Sequence, residues 1–269
     1  MSRLCTLYGV TRAGYYAWRS RGESAHREQD RVLTEEIQAI FAASGRTYGS
    51  PRVQRALVER GFSVSRRRVE RLMRGAGLRA RVVRIYRSNP GLHRFYAQHP
   101  NRLWRSQAAK PDQIWVGDVT YLPVAGRWRF LAVVMDQYSR RLLGWSLGRV
   151  REARLTLSAL EHALRRRSPA RGLIFHSDSG SEYAAAAFRD RLRALGIRQS
   201  MTRGGAPADN AHMESFFHSF KADVVHGVSF KDDRELRRCL RSYIPFYNHR
   251  RLHSSLGYRS PVEYERLVA

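Results

Sequence analysis

Three runs, IWVGDVTYLPV (114–124), RWRFLAVVMD (127–136) and RRLLGWSLG (140–148), decide how this sequence folds. Each is short, apolar and rich in β-branched and aromatic residues, and turn-like AGR and QYS separate them, the pattern of an antiparallel meander. Downstream the periodicity alternates. Glu152–Arg167 predicts a helix, GLIFHS (172–177) a buried strand, Ala184–Leu195 a helix and IRQSM (197–201) a strand. A loop, TRGGAPAD, then leads to a helix from Asn210 to Val225. The expected fold is α/β, a mixed five-stranded sheet with flanking helices.

Upstream the chain reads as helical. Residues 1–45 form a helical lead-in whose clearest part, Arg31–Ala43, turns Val32, Ile37, Ile40 and Phe41 to one face. Within 46–82, Ser50 is placed to cap a helix with Pro51 at its first position, and Val53, Ala56 and Leu57 face inward. Gly61 stops that helix; Ser65 then caps a second, with Val69, Leu72 and Met73 inward. Two short helices joined by a glycine-containing turn predict a helix-turn-helix. The second helix carries Arg66, Arg67, Arg68, Arg71 and Arg74, cations suited to a major groove flanked by phosphates. A helical hairpin with a solvated basic face would show the same residues. Residues 83–108 read as a basic linker and 226–269 as a basic, aromatic tail.

Charge narrows the partner. The chain has 269 residues and a net charge of +26, from 49 basic and 23 acidic residues. A GC-rich genome explains 46 arginines against 3 lysines, but not basic over acidic. A polyanion explains the latter, and with no amphipathic anchor or spanning run of roughly 18 apolar residues in view, nucleic acid fits better than a membrane. Two cysteines, Cys5 and Cys239, suit reduced thiols in a cytoplasmic protein, and MSRLCTLYGV lacks a signal-peptide core.

Three acids then stand out in 109–225. Asp118 lies inside the first strand, sharing a face with Val116 and Thr120. Asp178 ends the fourth strand, and Glu214 lies one turn into a helix where His218 and Lys221 continue its stripe. Singly, each reads as a cap or salt-bridge acid. Together they form an oxygen-rich set suited to Mg²⁺ or Mn²⁺, and two such ions about 3.5–4 Å apart could activate an attacking hydroxyl and steady a leaving oxygen. His176 could touch phosphate or metal-bound water, or be a hydrogen-bonded structural histidine. Asp136 is expected to shape a turn, and Asp209 or Asn210 to cap the Glu214 helix. Arg250, Arg251 and His253 could follow a DNA backbone or pack on the core.

W-x-x-D-x-T-Y (115–121), H-S-D-x-G-S-x-Y (176–183) and D-N-A-x-M-E-S-F-F-x-x-x-K (209–221) resemble the D-D-E core of retroviral integrases and insertion-sequence transposases. Thirty-five residues separate Asp178 from Glu214, the spacing of that superfamily, and Lys221 stands where it carries a DNA-contacting basic residue. YGSPR, VSRRRVERLMR and the ending YNHRRLHSSLGYRSPVEY (247–264) resemble the second-frame product of two-reading-frame insertion sequences. The resemblance implies a ribonuclease H-like core and Mg²⁺-dependent cleavage and strand transfer without a covalent protein–DNA bond. It also implies double-stranded DNA partners (terminal repeats and target), a homo-oligomer on DNA, and an upstream-frame product as fusion or partner. No heptad zipper is present here, so this chain is expected to transpose poorly alone. Two departures stand out: Glu182 where the group often has Gln, and APA in place of a Cys-Trp pair before Asp209. A non-catalytic DNA-binding remnant, a tyrosine recombinase and a structure-selective nuclease are the competing readings.

Overall fold

The computed structural model describes residues 2–20, 24–80, 108–202, 210–226 and 228–268. Residues 83–107 of the expected linker, and Asp209 with the loop from 203, lie outside them. The chain divides into two compact units, Met1–Ala80 and Arg81–Ala269.

The first unit is helical: α1 (Ser2–Leu7), α2 (Arg12–Ser20), α3 (Ala25–Ala43), α4 (Ser50–Glu59) and α5 (Arg66–Gly75). Helix α3 starts earlier than expected because Ser24 caps it, its hydroxyl accepting from Arg27 N. Its buried face is Leu33, Ile37, Ile40 and Phe41, while Val32 is exposed. The spacing 33, 37, 40, 41 keeps one stripe at 3.6 residues per turn, and Val32 falls outside it. Ser50 is not a cap: Gly49 takes that position and Ser50 is already helical, with Pro51 in the first turn. Ser65 does cap α5, accepting from Arg68 N. Val53, Leu57, Val69 and Met73 are buried between the helices.

In the second unit, β1 (Ile114–Val124), β2 (Arg127–Asp136), β3 (Leu142–Gly148), β4 (Ile174–Ser177) and β5 (Arg198–Met201) form one sheet in the order β3-β2-β1-β4-β5. The β1–β2 and β2–β3 pairs are antiparallel, whereas β1–β4 and β4–β5 are parallel, so β1 is central. This is the mixed five-stranded α/β sheet expected.

Both faces are covered. On one lie α6 (Ala153–Leu164), the short α7 (Ser181–Ala184) and α8 (Ala186–Ala194), packed on Trp115, Ala132, Val134 and Phe175. On the other lie α9 (Ala211–Phe220), a π-helical turn (Lys221–Val225) and α10 (Asp233–His249), packed on Val116, Leu122, Leu131, Val133 and Met135. Met213, Phe216, Phe217 and Phe220 seat α9, each phenylalanine contributing about 1.5–3 kcal/mol by leaving water. A short 3₁₀ turn (Ser254–Leu256) and α11 (Pro261–Arg266) end the chain.

The tail packs on this core. Leu236, Leu240, Tyr243, Ile244 and Tyr247 of α10 are buried in the α9-side cluster. Arg251 is nearly inaccessible, its Nε donating to Asp223 Oδ2 at 2.9 Å, and His253 is buried against the Tyr247 ring. Those two side chains are structural, while Arg250 is exposed. Asp136 shapes its turn as expected: Oδ1 accepts from Ser139 N and Oγ, and Oδ2 from Asp112 N. Among the described residues no helix is long and apolar enough to cross a membrane.

Candidate active site

Strand alternation in β1 sends Val116, Asp118, Thr120 and Leu122 to the face that α9 covers. Gly117, between Val116 and Asp118, has no room for a side chain, since a Cβ there would lie 2.6 Å from the Phe175 ring on the opposite face. Parallel pairing sets Val116 against His176 and Gly117 against Ser177, so Asp178 emerges from β4 beside Asp118.

Asp118 feels the charge of Asp178. Burial raises the Asp118 pKa first, and the charge of Asp178 adds to it, from the ordinary 3.8 to about 8. Asp178 is raised as well, by burial and then by the charge of Glu182. Each acid has one oxygen tied to backbone: Asp118 Oδ1 accepts from Val119 N at 2.7 Å, and Asp178 Oδ1 from Gly180 N at 3.2 Å. The second oxygen of Asp178 faces Arg151, whose Nη2 lies 3.6 Å away. Arg151 also binds Glu182, with Nε at 2.7 Å and Nη2 at 2.6 Å from Oε1.

Helix α9 runs beside this pair. Asn210 Nδ2 donates to Gly117 O at 3.4 Å at its start. Past its end, Lys221 Nζ lies 4.7 Å from the Tyr121 ring centre. Eleven helical residues cover about 16 Å, and the four strand steps from Gly117 to Tyr121 about 13 Å. The helix is therefore laid along β1 in the same direction, with Glu214 between the anchors. Burial lowers the Lys221 pKa, and Asp118 pulls it back up, so the two charges sense one another.

Asp118 and Asp178 thus come together; Glu214 does not join them. Its side chain is exposed on α9, and among the described residues no three His, Cys, Asp or Glu lie close enough to hold one ion. Asn210 occupies the cap position without capping: its amide reaches β1 instead. His176 is wholly buried, with Nδ1 2.9 Å from Ser200 Oγ, and so is a structural histidine. His218 is half-buried on α9.

Of the five arginines on α5, Arg66, Arg67, Arg71 and Arg74 are exposed and Arg68 is half-buried. Arg68 is not a free groove-facing cation: its Nε donates to Asp30 Oδ1 at 2.8 Å, and Arg71 Nη2 reaches Asp30 Oδ2 at 2.7 Å. The pair ties α5 to α3, although Arg71 keeps much of its surface. Arg151 escaped the sequence reading altogether: an arginine in an arginine-rich chain, 31 positions before Glu182, carries no local signal.

Known proteins match along this layout. A solved structure, the HTLV-2 integrase catalytic core domain in complex with magnesium, is 17% identical at a TM-score of 0.45, covering 59% of this chain and 99% of that one. Models described as integrase core domains match residues 108–207 and 195–261, and one described as an HTH-like domain matches 27–86. The insertion element IS600 31 kDa protein of Shigella sonnei is 36% identical over 263 residues, 97% of each chain. Transposase InsF for insertion sequence IS3A of Escherichia coli (strain K12) is 35% identical over 268 residues, 97% of this chain and 92% of that one. With relatives this similar over nearly the whole length, and an integrase core behind a helix-turn-helix-like domain, the chain belongs to the insertion-sequence transposases.

Proposed function

We propose that this transposase cuts and rejoins DNA at its element's ends by metal-dependent phosphoryl transfer, with Asp118, Asp178 and Glu214 as catalytic carboxylates. The observation that carries the reading is the Asp118–Asp178 pair, two acids held side by side on adjacent strands at the cost of resisting ionisation. Such a pair suits a divalent cation, and an all-oxygen donor set suits Mg²⁺ or Mn²⁺. Bound there, two ions would make a water or 3′-hydroxyl nucleophilic at neutral pH and offset charge on the phosphate.

The chain's own residues supply position. Backbone N–H groups of Val119 and Gly180 fix one oxygen of each aspartate, leaving the other for a ligand. Glu214 lies along the strand that carries Asp118, and completes the set when DNA is bound. Lys221, half-buried near Asp118, holds the phosphate backbone of the element's end. In the first unit Arg66, Arg67, Arg71 and Arg74 of α5 bind DNA, positioning residues 46–82 as the recognition segment. Residues 109–225 carry the chemistry, and 226–269 brace it through α10. Terminal repeats and target DNA are the substrates; a homo-oligomer and the upstream-frame product are the protein partners, in the cytoplasm at the nucleoid.

Strand transfer with precleaved element ends and Mg²⁺ tests this. The parent should join ends to target, whereas Asp118→Asn should bind the same DNA in a gel shift and join none. Strand transfer by Asp118→Asn at the parent's rate would refute the assignment.

A further inference from the structure

Glu182 stands beside the proposed metal carboxylates without a task in that chemistry. Its side chain is only 1% exposed. The turn carrying it is shaped around it: a Cβ on Gly180 would lie 2.6–2.8 Å from the Glu182 carboxylate, so the acid packs directly on that backbone. Oε1 accepts both Arg151 contacts, while Oε2 is buried with no hydrogen-bond partner among the described residues. An unpaired carboxylate here would add a third negative charge to Asp118 and Asp178. Arg151 prevents that, and a guanidinium cannot shed its charge to escape.

The Arg151 grip is uneven. Toward Glu182 it makes two short, charge-assisted contacts at 2.7 and 2.6 Å. Toward Asp178 the separation is 3.6 Å, beyond a hydrogen bond. The same Nη2 faces both carboxylates, held tightly by Glu182 and only loosely by Asp178, so the Asp178 contact is the releasable one. We propose that Arg151 is a positioning residue for the metal site: pinned by Glu182, it serves as the resident cation beside Asp178 until a divalent ion takes that carboxylate over. The inference rests on Asp118 and Asp178 being metal ligands. It also accounts for a buried Glu182 so close to them, because Arg151 and Glu182 together add no net charge.

Mn²⁺ binding to the full chain without DNA, followed by titration calorimetry, tests this. Glu182→Gln leaves Arg151 free to settle on Asp178 and removes a nearby anion, so Mn²⁺ should bind about tenfold more weakly, the effect of one charge a few ångströms away in a partly solvated site. Arg151→Gln should bind Mn²⁺ about tenfold more tightly. The double variant, neutral at both positions, should return to within about threefold of the parent. If Arg151→Gln fails to fold around its unpaired glutamate, the double variant, which has no charge at either position, still decides the matter against Glu182→Gln. Equal weakening in Glu182→Gln and the double variant would overturn the proposal, as would unchanged affinity in every variant. Parent-like Mn²⁺ binding by Asp118→Asn, or none by the parent, would instead remove the metal-ligand reading beneath it.

Discussion

Replacing Asp118 by Asn should stabilise the metal-free protein, and the gain should grow with pH. In the folded chain the Asp118 carboxyl keeps its proton up to about 8, whereas the unfolded chain releases it near 3.8. Between those values the folded state binds one proton more, so stability falls as pH rises, by about 1.4 kcal/mol per pH unit. At pH 7 roughly three such units have been crossed, an upper bound of about 4 kcal/mol. Asp118 is partly accessible, and solvent screening trims the figure to about 1–2 kcal/mol. Asparagine has the same shape and carries no charge to bury. For a domain of this size that is roughly 3–6 °C in Tm. Thermal unfolding of parent and Asp118→Asn, in chelator, should show the variant ahead at pH 8.5 and level at pH 4. Added Mg²⁺ should raise the parent alone. A variant less stable than the parent at pH 8.5, or a gap that does not change with pH, would refute the electrostatic argument.

Three further outcomes follow from other contacts. Arg66→Ala and Arg67→Ala should each lower the slope of log affinity against log salt for DNA by about 0.9 without moving Tm, whereas Arg68→Ala should lower Tm by leaving Asp30 held by Arg71 alone; fluorescence anisotropy at several salt concentrations, with thermal unfolding beside it, separates them. Arg251→Met removes the guanidinium that donates to the buried Asp223 carboxylate, and should cost about 3–5 kcal/mol in urea unfolding; a near-neutral result would mean that Asp223 does not depend on this ion pair. Gly144→Ala would push a methyl into the Ala159 carbonyl and the Ala163 backbone where α6 lies on β3, costing about 1–3 kcal/mol or more by the same measurement.

The sheet was legible because its signals are local. Apolar runs bounded by turn residues mark β1 to β3 directly, and β1 and β2 fall where the runs do. Asp118 was legible for a related reason: a charged residue amid Val116, Val119 and Leu122 announces an unusual site. What could not be read depends on pairing between distant residues. Arg68 looks like any groove-facing arginine until α3 brings Asp30 to it. Asn210 has the chemistry of a cap, but β1 offers its amide the Gly117 carbonyl. Arg251 and His253 sit in a basic tail that suits DNA equally well, and only the packing of α10 shows them buried. The departure at Glu182 was visible as an added negative charge. Its compensation by Arg151 was not, because the two belong to different elements joined only by the fold.

Whether Glu214 joins the two aspartates decides the account. Crystals of the chain with its element end and Mn²⁺, examined by anomalous scattering, measure this directly. The expected result is manganese shared by Asp118 and Asp178, with a Glu214 carboxylate oxygen within about 2.3 Å of an ion. Manganese held on bound DNA with Glu214 still facing solvent would contradict it.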